Sequence, residues 1–443
     1  MRTVAGLALL VWLAPAGAGA QPQDRFIACS FTSPPQPAIL YEVAPSGTVL
    51  ATVATLPAGH VPFGLVMAAD NRSYVALTYL QPTRTGCLLD VDPNGSMRTL
   101  VAGNPLYRPV ALARDSDGGW ILAHQGFTIY DLDFFRVQGT TLTSLSTVPG
   151  LYAYATAVDE DSGLLVVRGM DRKPPYDCGY FRVDPRTGTV TQFAIHRPAQ
   201  TSAVYYGAKE PPFEGPSGSF IDVYYDTTTP GARMCRAHAK KGIQPFTSTV
   251  IPWLPIDLAA ADQRTAGVGW YLLGSSASSP SSFEIIRMKP DGSFRDASPI
   301  RGFTPYNRST LLRIGSRHLA WFMDTPPNGR RLELSFPGEG GRAYVVGLSW
   351  TGFRPGLGLP DGRVIPLSAD YLTMLCLYGG IKGILDNTLG SLDASGRARV
   401  TVNTNPFGKA LNGLRIWAVA LVLDAGAPLG AAYIAGPSLL TLR

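Results

Sequence analysis

The residues best suited to chemistry are few and widely spaced: His60, Tyr107, Arg108, Tyr152, Gln200, Trp253, Asn307 and Arg308. They combine aromatic faces, amides, an imidazole and guanidinium donors, a set that suits a sugar, a carboxylate or a peptide. Asp159-Glu160-Asp161 is a carboxylate cluster, but it sits in a turn-like stretch and reads as solvated. Asp90-Val91-Asp92-Pro93-Asn94-Gly95-Ser96 begins like a calcium loop. Such a loop needs a bidentate acid at its twelfth position, and Val101 stands there. There is no G-x-S-x-G, HExxH, P-loop or Cys-x-x-Cys-His. His60 and Asp257 are the acid–base candidates that a hydrolytic reading would have to use. Five cysteines, Cys29, Cys87, Cys178, Cys235 and Cys376, are scattered without a CxxC or a His at ligand spacing. Buried apolar thiols are the expected reading, and a Cys178–Cys235 bridge stays open. No cofactor and no metal is expected.

The candidate residues gain meaning from an internal repeat. Leu40-Tyr41-Glu42-Val43-Ala44-Pro45-Ser46-Gly47 recurs as Leu88-Leu89-Asp90-Val91-Asp92-Pro93-Asn94-Gly95, and again as Ile285-Ile286-Arg287-Met288-Lys289-Pro290-Asp291-Gly292. Tyr180 to Gly188 is a further copy, and degenerate copies lead to Gly139 and Gly242. The turn glycines at 47, 95, 139, 188, 242 and 292 lie 44 to 54 residues apart, a propeller-like period. Each copy alternates apolar and polar residues and then turns, which is the pattern of a hairpin.

Two more strands are predicted in each period. The first is small and apolar: Phe63 to Ala69, Val110 to Arg114, Tyr154 to Val158, Ala203 to Ala208, Ile256 to Ala261 and Thr310 to Ile314. The second carries larger residues: Tyr74 to Thr78, Trp120 to His124, Leu164 to Arg168, Phe220 to Tyr225, Trp270 to Gly274 and His318 to Met323. Four strands in each of six periods predict a six-bladed β-propeller. Arg25 to Phe31 reads as one more large-residue strand, and Arg331 to Phe336 as part of another hairpin. Those ends either close the ring together or add a seventh, composite blade. The eight candidate residues all fall just before the small apolar strands. In a propeller those loops converge on one end of the axial channel, so the residues form a candidate ligand-binding rim.

Composition agrees with this architecture. Glycine (48) and proline (37) make up about 19% of 443 residues, against about 12% in ordinary chains, which disfavours helical bundles. An apolar content of 45% and a net charge of +6 exclude a disordered chain. That charge, spread over the whole length, gives no footprint for nucleic acid. Arg2, the apolar run Val4 to Leu13 and Ala18-Gly19-Ala20 read as a signal peptide over residues 1–20, cut before Gln21. Leu411 to Leu423 is the nearest approach to a membrane span, but Arg415 interrupts it. The expected product is secreted, or lies in the periplasm or cell envelope, and has no membrane span.

The repeat pattern over residues 25–327 resembles NHL, YVTN and SMP-30-like propellers. That resemblance implies the fold, and the group includes lactonases, lyases and plain binding scaffolds. Phe213-Glu214-Gly215-Pro216 resembles the E-G-P of SMP-30-type lactonases, in which the Glu is a metal ligand. Here it lies in the fourth repeat with no Trp following, so it reads as a surface loop.

The text changes after Met323, and Asp324-Thr325-Pro326-Pro327-Asn328-Gly329 reads as a linker. Propeller and C-terminal unit are therefore expected at residues 21–327 and 328–443. Strands are predicted over Ala343 to Leu348, Tyr371 to Leu377, Ala398 to Val402, Leu414 to Leu423 and Leu439 to Leu442, which suggests a small β-sandwich. Gly352 to Pro360, Ser391 to Thr401 and Leu411 to Asp424 resemble the C-terminal sandwich of exported planctomycete-type proteins, which implies an accessory module. The expected function is non-catalytic binding of an extracellular ligand or protein partner at the rim. A metal-dependent hydrolase or lyase of the lactonase kind is the alternative.

Overall fold

The computed structural model describes residues 24–442 except 31–35, 69–70, 82, 84, 104, 115–118, 127–130, 160–163, 172–177, 197–203, 210–219, 227–230, 239–241, 246–249, 262–267, 277–278, 304–311, 316–317, 324–328, 354–355, 360–363 and 428–429. The signal segment and the 324–328 linker lie outside those residues. The six turn glycines of the repeat all take positive φ, between 59° and 83°, where a side chain would be strained. Two of them also lack room for one. A Cβ on Gly47 would stand 2.2 Å from the Pro299 carbonyl oxygen, and one on Gly95 2.2 Å from that of Val53. Both oxygens belong to the outermost strand of the preceding blade, so the turn that ends a hairpin also seats it on its neighbour.

The chain opens with β1 (Phe26–Cys29), β2 (Ile39–Val43) and β3 (Val49–Thr55). Blade one follows as β4 (His60–Met67), β5 (Tyr74–Leu80), β6 (Thr85–Val91) and β7 (Met97–Ala102). Blade two is β8 (Arg108–Arg114), β9 (Trp120–Gln125), β10 (Asp131–Gln138) and β11 (Thr141–Pro149). Blade three is β12 (Leu151–Asp159), β13 (Leu164–Asp171), β14 (Cys178–Val183) and β15 (Val190–His196). Blade four is β16 (Val204–Lys209), β17 (Phe220–Asp226), β18 (Gly231–His238) and β19 (Gly242–Pro245). Blade five is β20 (Trp253–Ala260), β21 (Trp270–Ser276), β22 (Ser279–Met288) and β23 (Phe294–Pro299). The sixth, closing blade joins both ends: β24 (Leu312–Arg313) pairs antiparallel with β1, giving the order β24-β1-β2-β3.

The innermost strands β4, β8, β12, β16, β20 and β24 touch in succession, and β24 touches β4, so the ring closes at six blades. Each junction between blades has its own apolar cluster. Phe63 and Leu77 meet Leu112 and Leu122 between blades one and two, for example, and Leu273 and Ile285 meet Phe26 and Val43 at the closing blade. The cluster between blades three and four is small among the described residues: Val166, Tyr180, Ala194 and Ala237. A buried polar set joins it there. Asp222 of β17 accepts Arg168 Nη1 at 3.1 and 3.3 Å, the Tyr180 hydroxyl at 2.5 Å and the Val223 amide at 2.7 Å. Burial and the adjacent carboxylate push the Tyr180 phenol well up, so it stays a donor. A second buried set clasps the ring closure: Asp24, just before β1, accepts the Tyr271 hydroxyl at 2.9 Å and lies 3.5 Å from Arg313 Nη1.

Three sequence expectations are corrected. The strand predicted at His318 to Met323 is β25 (Leu319–Met323), and it does not belong to the last blade. It pairs with β26 (Gly329–Ser335), which pairs in turn with a strand of the C-terminal unit. The place it was expected to fill is taken by β1, and Leu319 and Trp321 instead face the C-terminal core. Arg331 to Phe336 therefore adds no seventh blade, and the sheets of the two units divide between Arg313 and Leu319 rather than at 327. Cys235, buried and free like Cys29, Cys87 and Cys376, forms no bridge to Cys178. Burial pushes the Cys29 and Cys376 thiols up to about 12 and that of Cys87 to about 11.

The C-terminal unit continues with β27 (Ala343–Ser349), β28 (Leu357–Gly358), β29 (Val364–Ile365), α1 (Tyr371–Leu377), β30 (Leu385–Asp386), β31 (Leu389–Ser391), β32 (Arg397–Asn403), β33 (Arg415–Leu423) and β34 (Ala431–Thr441). Sheets β25-β26-β32-β30 and β31-β27-β33-β34 enclose one continuous core that includes Leu334, Phe336, Val346, Val400, Ala418 and Leu440. The third correction is α1, predicted as a strand. Asp370 caps it: one carboxylate oxygen accepts the Thr373 amide at 2.9 Å, and the other accepts Ser349 Oγ at 2.7 Å and the Trp350 amide at 2.9 Å. Leu372 and Cys376, four residues apart, share its buried face.

The sandwich docks on the β4–β5 turn of the propeller. Asn71 there is fully buried with φ 59°, and its Nδ2 donates to the Ser335 carbonyl at 3.0 Å. Arg72 Nη2 donates to the Ser395 carbonyl at 2.8 Å. This turn lies at the opposite end of β4 from His60, so these described contacts of the sandwich lie away from the predicted rim end of blade one.

Candidate axial-rim site

Inner-strand prolines shape the start of the site. Pro62, Pro109 and Pro255 each precede a register skip against the second strand, at 62/64, 109/111 and 255/257. Blade three skips at 153/155. Proline donates no backbone hydrogen bond, which an inner strand facing a channel and a bulge both tolerate. A bulge turns the skipped side chain, and in β4 that residue is Phe63.

Phe63, Arg108 and Tyr152 come together from three consecutive inner strands. The Arg108 guanidinium carbon lies 4.6 Å from the Phe63 ring centroid and 5.8 Å from that of Tyr152. Arg108 Nη1 donates to the Tyr152 hydroxyl at 2.9 Å. Arg108 Nε is buried with no acceptor, and among the described residues no carboxylate pairs with this side chain. Tyr79 packs on Phe63 with centroids 5.0 Å apart, extending the aromatic wall.

Two adjacent residues of β9, missed in the sequence, hold the pair in place. His124 is buried, and its Nε2 accepts the Tyr107 amide just before Arg108. Its Nδ1 stands 3.6 Å from Asp133 Oδ2. The His124 contact, with the Thr147 hydroxyl at 2.6 Å, holds the Asp133 carboxyl below its ordinary range. Nε2 is thus committed to the backbone, while Nδ1 faces Asp133 beyond hydrogen-bond distance, so the ring positions the Tyr107–Arg108 backbone. Gln125 Oε1 accepts the Ala153 amide at 3.0 Å and its Nε2 donates to the Leu151 carbonyl at 3.4 Å, bracketing Tyr152. The signal for His124 was available only through register, because it lies directly across from Asp133.

The other predicted residues fare differently. His60 opens β4, with Nδ1 2.9 Å from Thr78 Oγ1, and Thr78 donates to the Cys87 carbonyl at 3.3 Å. That chain makes Nδ1 the donor and leaves Nε2 an acceptor, and burial lowers the ring's pKa, so it is neutral at pH 7. Trp253 opens β20 and stacks on Phe294 at 5.5 Å, which engages its ring in its own blade. Gln200, Asn307 and Arg308 lie outside the described residues, as do Glu214 and the side chain of Asp257. Asp90 pairs with Arg98 at 2.6 Å, and Asp92 and Asn94 accept the Ser96 hydroxyl, which is turn chemistry. Among the described residues no three His, Cys, Asp or Glu side chains gather as a metal site. No described helix is long and apolar enough to cross a membrane.

Strand pairing and ring order define an all-β chain: a six-bladed β-propeller followed by a β-sandwich. No family model and no curated protein matches the sequence. Solved propeller structures are similar at low identity. The periplasmic gluconolactonase of Pseudomonas aeruginosa shares 10% identity at a TM-score of 0.45, over 66% of this chain and 100% of its own. TolB of Acinetobacter baumannii shares 11% at 0.46, over 65% of this chain and 66% of its own. The lectin SapL1, solved with alpha methyl fucoside, shares 11% at 0.39, over 64% of this chain and 97% of its own.

Proposed function

We propose that this chain is an exported, non-catalytic binding protein that takes a ligand at the axial rim of its propeller, with the sandwich as an accessory module on the opposite face. The observation that carries the reading is Arg108: a half-buried cation at the entrance of an inner strand, held by the neutral groups Phe63 and Tyr152. A guanidinium fixed between aromatic surfaces is arranged for recognition and carries no acid–base function at neutral pH. His124 adds support, since its Nε2 is occupied with the Tyr107 amide.

The test is a calorimetric screen of sugars, carboxylates and short peptides against the mature chain. A ligand so found should lose at least tenfold in affinity when Arg108→Met, Tyr152→Phe and Arg308→Met are combined. Unchanged affinity would remove the rim as the site. Export is checked by fractionation: a chain beginning at Gln21 is expected outside the cytoplasm, and an uncleaved cytoplasmic chain would refute it.

A further inference from the structure

We infer that the rim ligand carries a carboxylate, that Arg108 anchors it, and that the ligand is a sugar acid. This rests on the rim being the binding site and names its ligand class. Two other propeller arginines packed against neighbouring strands meet a carboxylate: Arg168 meets Asp222 and Arg313 meets Asp24. Arg108 meets only neutral partners among the described residues. Its guanidinium has five N–H donors. One reaches the Tyr152 oxygen, and Nε–H is buried without an acceptor. The remaining Nη hydrogens have no acceptor among the described residues. A carboxylate would satisfy them with charge-assisted bonds, roughly twice as strong as neutral ones. Phe63 and Tyr152 fix where the guanidinium sits, so little side-chain freedom is lost when the anion arrives.

The surroundings favour a sugar acid over a plain diacid. Aromatic surface from the half-buried Tyr79 and Tyr152 suits the apolar C–H face of a pyranose, while Phe63 is buried in the junction between blades one and two. His60, on the same strand as Phe63, offers a neutral acceptor nitrogen for a hydroxyl.

The experiment is calorimetry of the mature chain with galacturonate, its methyl ester, galactose and glutarate, at low and high salt. Galacturonate should bind at least tenfold more tightly than its ester or galactose, and more weakly as salt rises. Arg108→Met should weaken galacturonate at least tenfold, and Arg108→Lys should restore part of that loss if the variant melts like the parent. Galactose bound as tightly as galacturonate, but sensitive to Tyr152→Phe, would overturn the carboxylate while leaving the rim in place. Galacturonate binding indifferent to both substitutions would overturn the inference and the rim together. Glutarate equal to galacturonate would overturn the sugar part, and no binding of any acid would overturn the inference as a whole.

Discussion

The propeller and the sandwich bury their apolar side chains in opposite ways. The sandwich has one continuous core between two sheets, with Leu334, Phe336, Val346, Val400 and Leu440 in a single cluster. The propeller has a separate cluster at each blade junction, and two junctions add buried charge, at Arg168–Asp222 and Asp24–Arg313. A ring of wedges has many small interfaces, and each can be specified separately. Orientation is therefore also set by directional bonds where the apolar cluster is small among the described residues, as between blades three and four. The same device serves the rim, where Gln125 ties blade two to the start of β12 through backbone bonds.

Substitutions should separate the two regions. Asp222→Ala strands Arg168 and Tyr180 in the interior, and a broken buried pair costs about 3–5 kcal/mol. In calorimetry the propeller transition should fall while the sandwich transition holds, and a joint fall would show that the two melt as one unit. Phe336→Ala makes the reciprocal test, with a cost of about 3–5 kcal/mol confined to the sandwich transition. Asp24→Ala removes the acceptor of Tyr271 and Arg313 and should cost the propeller about 1–3 kcal/mol, read by chemical denaturation. Asp370→Ala uncaps α1 and should lower only the sandwich transition, by about 1 kcal/mol. The smallest effect is acid sensitivity. The folded Asp133 carboxyl lies below its ordinary value near 3.8, so its contribution is present above that pH and fades as pH falls through the folded value. The stability difference between the parent and Asp133→Asn should therefore shrink in titrations taken below pH 4.

How much of this could be read in the sequence depends on the distance over which each feature is decided. The turn glycines and inner strands follow from local chemistry repeated six times, so a period revealed them. Arg108 and Tyr152 were aligned by the same repeat, although nothing in it required them to touch. Tyr371–Leu377 misled because seven mostly apolar residues fit either period, and the deciding bonds come from Ser349 and Trp350, some twenty residues upstream. Leu319–Met323 looked like its counterparts in other repeats, and only competition with β1 for one edge settled its sheet. His124 and Asp222 gave no pattern at all, since their partners are fixed by register or by the neighbouring blade.

The pairing of β24 with β1 has a consequence for timing. During synthesis the strand at Phe26 emerges about 290 residues before its partner at Arg313, so one edge of the first sheet waits unpaired for most of translation. Chain-closure entropy rises only as the logarithm of that distance, so the delay adds little to the equilibrium cost. What it sets is a checkpoint: a product truncated before Leu312 would present an open strand edge to proteases and to other nascent chains, whereas the finished chain hides it.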